Sequence, residues 1–351
     1  MSREKVPLRT LGDCRSFLMG IAILMIIFCH GYYPFSGVYG KVFDSVTSFL
    51  QSGVEVFLFL SGYGCFYSLS KTEVTAKSVF RFYSRRFIRI IPAWFFIALF
   101  SAALKYFFAG VEFHDGLSQF SLLAFFTKGS LGCWFISVIL VLYLVSPFFY
   151  ELLKRSAGIY KLVCTLIFVA SAAVILFVKT DPVFDVINRM LINRSAMFWL
   201  GMYAADKVSR DQNAVSALSK RQLSVLLCLG ILLFAAANIF EWKFYARLLF
   251  VPIAYAAALL LSKSTYTGRA PGPCFKLLSS LGAITLECYL LNEDVRACVY
   301  TVCKHFISNQ IFLSVIVNTG MLLGTAVLAW AFHQALGKLT AGNRTGKPYQ
   351  K

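Results

Sequence analysis

Apolar stretches close to the ~20 residues that an α-helix needs to cross a bilayer recur along the whole of this 351-residue chain. Composition agrees: 58% of residues are hydrophobic, 16% aromatic, and the mean hydropathy is +0.70. A water-soluble chain of this length carries a larger polar share. The sequence predicts an all-α integral membrane bundle of about ten spans, near Ser16–Tyr33, Gly53–Ser70, Ile90–Phe108, Leu131–Leu153, Ile159–Val178, Ser195–Ala205, Leu223–Phe240, Tyr245–Leu261, Leu277–Leu291 and Ile311–Leu336. The stretch Phe113–Thr127 is apolar but too short to cross, and reads as an interfacial or re-entrant segment. The stretch from Val186 to Arg194 is polar and reads as a broken or tilted helix lining a cavity. The first apolar run continues past the length of a signal-peptide core, and no small-x-small cleavage site follows it.

The net charge of +18 raises the question of nucleic acid, and its placement answers it. Of the 34 lysines and arginines, 24 fall on alternate connecting segments, beginning with the N-terminal one. That bias is a topology signal and sets both termini in the cytoplasm. One membrane domain is expected over residues 1–339, followed by a basic, disordered cytoplasmic tail at 340–351. The ten cysteines show no C-x-x-C or zinc spacing and read as packing residues, Cys298 and Cys303 being the two that could pair. The four histidines form no metal motif, and no nucleotide-binding loop or G-x-S-x-G elbow is present.

Chemistry concentrates in the first third. His30 ends the run that starts at Gly20, and an ionisable group inside a span marks a functional site by default. Imidazole suits general-base work near neutral pH. Arg15 lies fifteen residues earlier, about 22 Å along a helix and on a similar face. Glu55 sits one turn inside the second span, near the expected depth of His30. Two readings of Glu55 stand open: a carboxylate that orients His30, or one protonated or paired with a basic residue elsewhere. Ser61-Gly62 permits close helix approach. Arg85, Arg86 and Arg89 cluster at the mouth of the third span, with Pro92 in its opening turn. Guanidiniums so placed suit phosphate binding, while topology and lipid headgroups account for the same charges.

The segments Gly20–His30, Gly53–Gly62 and Arg85–Trp94, joined by Cys133–Tyr143 and Leu286–Asn292, resemble in order and spacing the acyltransferase type 3 family of bacterial membrane acyltransferases. The resemblance implies transfer of an acyl group, usually acetyl from acetyl-CoA, to hydroxyls of cell-envelope glycans or lipid-linked sugars, at the bacterial cytoplasmic membrane. It implies His30 as the catalytic residue, Glu55 as the acidic residue of the second span, and Arg85, Arg86 and Arg89 as the third-span arginines. Three positions depart from the family pattern. Met19 stands where an arginine is common, with Arg15 one turn earlier. Asn292 stands where a second histidine is common. The end of the last span reads Phe332-His333-Gln334-Ala335, without the usual Glu-Pro.

On this reading the donor phosphates sit at Arg15, Arg85, Arg86 and Arg89, and the pantetheine arm threads along the first helix to His30. Its extended length, on the order of 20 Å, is comparable with the Arg15–His30 rise. Ser61, Trp134 and Ser137 are candidates for oxyanion or substrate contacts. Two other classes fit the same features: a proton-coupled secondary transporter or glycan-lipid exporter, and an inactive relative acting as a scaffold.

Overall fold

The computed structural model describes residues 4–71, 73–240, 247–265 and 272–342. In chain order its longer helices are Arg15–Cys29 (α1), Gly37–Leu50 (α2), Gly53–Leu69 (α3), Ala76–Ala109 (α4), Trp134–Arg155 (α5), Ala157–Phe177 (α6) and Ser195–Arg210 (α7). Lys220–Ile239 (α8), Phe250–Thr265 (α9), Pro273–Ala283 (α10), Thr285–Cys303 (α11) and Gln310–Gly342 (α12) follow. Among the described residues, seven segments are long and apolar enough to cross a membrane. They are α2 with α3, α4, α5, α6, α8, Arg247–Thr265 and α12; an eighth is added if α10 and α11, bent by 82°, form one broken span. The chain is thus an all-α multi-pass membrane protein. A two-stranded antiparallel ribbon, Lys5–Pro7 against Val215–Ser219, pins the N-terminal segment beside the start of α8. The sequence pattern gave no sign of it.

The centre of the bundle is α3. It is apolar on every face, and 14 of its 17 residues are buried. It packs against α7, α1, α9 and α5. Gly62 and Gly201 make the α3–α7 crossing possible, since a Cβ on either would overlap a backbone carbonyl of the other helix, Phe198 or Phe59. Gly20 and Gly282 do the same for α1 and α10. At 15 residues, α1 spans only about 22 Å and is packed against α10, α3, α11 and α2.

Several expectations change. The helix of the third expected span, α4, begins at Ala76, not near Ile90, because a reciprocal capping box between Thr75 and Ser78 starts it upstream of the apolar stretch. Pro92 is therefore inside a 34-residue helix, not in its opening turn. The expected continuous span Leu277–Leu291 is broken at Ile284 between α10 and α11. The polar stretch before α7 forms a π-helix, Asn188–Asn193, the irregularity expected there. Phe113–Ser118 and Ala124–Lys128 are two short helices, as a non-crossing segment requires. All ten cysteines are free thiols, so Cys298 and Cys303 do not pair. Of the expected tail, Thr340–Gly342 continue α12, and residues 343–351 lie outside the described residues, as do Arg3 and Arg269.

Candidate active site

Two cavities meet at the Arg15 end of α1. One, of about 370 Å³, is lined by Arg15, Met19, Ser61, Arg86, Arg89 and Tyr289 among others. The second, of about 430 Å³, opens past Arg9, Asp13 and Gln212 and shares Arg15, Arg86 and Arg89 with the first. The three guanidiniums thus stand between a polar vestibule and a deeper chamber whose walls include Phe57, Phe135 and Ile139.

Backbone carbonyls of α3 hold two of them. Arg15 Nε donates to the Leu60 carbonyl at 3.4 Å, and Arg86 Nη2 donates to that of Gly64 at 3.1 Å. The Arg86 guanidinium also lies over the rings of Tyr143 and Phe82, at 5.0 and 5.5 Å. Neither arginine is spent on a carboxylate in these contacts, so each keeps donors for an anionic ligand. Arg85 points away: it is exposed and lines neither cavity. Arg86 and Arg89, three residues apart on neighbouring positions of the helix surface, both line the two cavities.

His30 caps the other end of α1. Its Nδ1 is 2.7 Å from Oδ1 of Asn292, which is fully buried on α11. The Asn292 amide nitrogen donates to the carbonyls of Cys288 and Tyr289, at 3.2 and 2.6 Å. Its oxygen is thereby turned to His30 and can only accept, so Nδ1 is the donor in this contact. Glu293 Oε1 lies 3.3 Å from Nε2. Tyr289 joins the two ends: it lines the deep chamber, and its carbonyl helps fix Asn292.

Glu55 does not orient His30. It is buried and its Oε1 pairs with Arg194 Nε at 3.3 Å, while the Arg194 guanidinium lies over the Trp134 ring at 5.0 Å. The reason is α7, which packs along α3 and delivers Arg194 from just before its first turn. Trp134 is accordingly part of that cluster and does not line the deep chamber. Ser137 is no oxyanion donor here, because its hydroxyl donates to the backbone carbonyls of Leu122 and Cys133. Ser61 does line the chamber.

The residues that sequence reasoning missed are mostly on α11. Glu287 pairs with His333 at 2.9 Å, Asn292 and Glu293 meet His30, and Asp294 pairs with Lys105 at 2.7 Å. His333 lines the deep chamber with the arginines. The signal was present, since four polar residues in one apolar segment mark a helix that faces other helices and not lipid.

Apolar helices enclosing a guanidinium-lined chamber, with an oriented imidazole at the far end of one short helix, define a multi-pass membrane protein equipped for group transfer. The chain belongs to the acyltransferase type 3 family: the family's sequence model, described as an acyltransferase domain, matches residues 17–334, nearly the whole chain. It is a membrane acyltransferase. Comparison with curated proteins and with solved structures gives no match.

Proposed function

We propose that this protein transfers an acyl group, acetyl in our reading, from a cytoplasmic acyl-CoA to a hydroxyl of a cell-envelope glycan or lipid-linked sugar, at the bacterial inner membrane with both termini inside. The observation that carries the proposal is the shared arginine wall of the two cavities, with His30 at the opposite end of α1. Donor phosphates bind at Arg15, Arg86 and Arg89, the wide vestibule takes the nucleotide, and the narrower chamber takes the pantetheine arm. Arg15 serves where Met19 replaces the more usual arginine, since both line the same chamber.

At the other end, His30 Nε2 removes the proton of the acceptor hydroxyl as its oxygen attacks the thioester carbonyl. The tetrahedral intermediate collapses and expels the CoA thiolate, which takes that proton from the imidazolium. Ester and free CoA result. Asn292 holds the tautomer that leaves Nε2 basic, and Glu293 stabilises the transient cation. The ten-span topology is part of this proposal, with α1, α7 and the α10–α11 pair counted as crossing segments.

The test is thiol release by the purified protein in lipid nanodiscs supplied with acetyl-CoA, together with glycan mass profiles of cells with and without the protein. One acetyl increment in the glycan supports the proposal. Acceptor flux without thioester cleavage would replace it with a carrier.

A further inference from the structure

The π-helix Asn188–Asn193 and the residue that follows it place two polar side chains, Asn193 and Arg194, in the bundle interior, and the donor-acceptor chemistry above uses neither directly. They line a small cavity with Arg189, Arg247, Ile175 and Leu248. Its volume, about 10 Å³, accepts roughly one water-sized sphere. Two nitrogens in its lining residues, Arg194 Nη1 and Asn193 Nδ2, are buried without a hydrogen-bond partner, in residues only 4% and 3% exposed.

Among the described residues charge does not balance there. Arg194 is paired with Glu55 and Arg189 with Asp185, at 3.3 and 2.6 Å. Arg247 has no ion pair among the described residues and stands within electrostatic reach of both other guanidiniums and of Glu55. An extra buried cation beside like charges is costly, and neutral water offsets little of that cost. Unpaired donors with an excess positive charge call for an acceptor carrying negative charge. The room for one sphere and the apolar walls of Ile175 and Leu248 restrict it to a single atom.

We propose that Arg194, Arg247 and Asn193 form a binding site for one halide ion, chloride under ordinary conditions, which neutralises the surplus guanidinium and fixes the π-helical turn. π-bulges gather at such sites because the widened turn directs extra side chains at one point.

The experiment is thermal unfolding of the full-length protein in nanodiscs, followed by intrinsic fluorescence, with sodium chloride titrated against sodium gluconate at constant ionic strength. A saturable rise in Tm in chloride, reproduced by bromide and lost in Arg247→Gln, is expected. Equal Tm in chloride and gluconate, or a rise produced by sulfate and not by chloride, would overturn the proposal. So would an undiminished chloride effect in Arg247→Gln. Should that variant fail to fold, crystals of the unmodified protein grown in bromide decide the matter. An anomalous peak between Arg194 and Arg247 supports the site, and its absence there refutes it.

Discussion

Replacing Asn292 by Ala tests the His30 end of the site at its most specific point. The substitution removes the acceptor 2.7 Å from Nδ1 and the two amide donors that keep that acceptor aimed. The ring then loses its tautomer preference and part of its orientation, while Nε2 and Glu293 remain. A neutral hydrogen bond of this kind is worth about 0.5–1.5 kcal/mol net. Converted to rate, that is a loss of about two- to twelvefold in turnover. It is well below the ~10²–10⁴-fold expected for losing the base itself. The assay is thiol release from acetyl-CoA by matched amounts of folded protein in nanodiscs. The discriminating measurement is the double variant. If Asn292 acts through His30, adding Asn292→Ala to His30→Ala costs nothing further, because the group it positions is gone. Fully additive losses, or unchanged turnover in a folded Asn292→Ala protein, would mean that Asn292 does not act through His30.

Other outcomes follow from the same geometry. His30→Ala should abolish transfer and leave membrane insertion intact, judged by turnover and by protease accessibility. Arg86→Ala should weaken acyl-CoA binding by about 1.5–3 kcal/mol in calorimetry, whereas Arg85→Ala, whose side chain faces away from both cavities, should leave affinity unchanged. Glu55→Gln should lower Tm, since breaking a buried ion pair from one side costs ~3–5 kcal/mol; Glu55→Gln with Arg194→Met should recover much of the loss. Had Glu55 served only to orient His30, the second substitution would recover nothing. Gly62→Leu should prevent stable assembly, read as loss of a monodisperse peak on gel filtration, because any Cβ there meets the Phe198 carbonyl.

Much of the architecture was legible because the information is local. Each long apolar run is its own signal, and α5, α6, α8 and α12 fall within a few residues of the expected spans. Boundaries slipped where a polar cap lies outside the apolar run, as at Thr75, or where one apolar run is bent into two helices, as at Ile284 between α10 and α11. Arg15, Arg86 and Arg89 could be chosen from sequence since helical phase alone groups the last two. Phase groups Arg89 with Arg85 equally well, as i,i+4 neighbours, so only the packing around the cavities separates Arg85 from the other two.

Hydropathy and helical repeat are enough to read this chain as a helical membrane protein with His30 and Arg15 toward opposite ends of one span and a cluster of arginines at another. Both act over tens of residues. Which polar groups meet is set by how the helices pack. His30 finds Asn292 across 262 positions of sequence, and Glu55 finds Arg194 because α7, held close by Gly62 and Gly201, reaches it. In an apolar interior each buried polar group must take a partner from whichever helix packs beside it. That choice rests on helix–helix contacts, which no local pattern in the chain records.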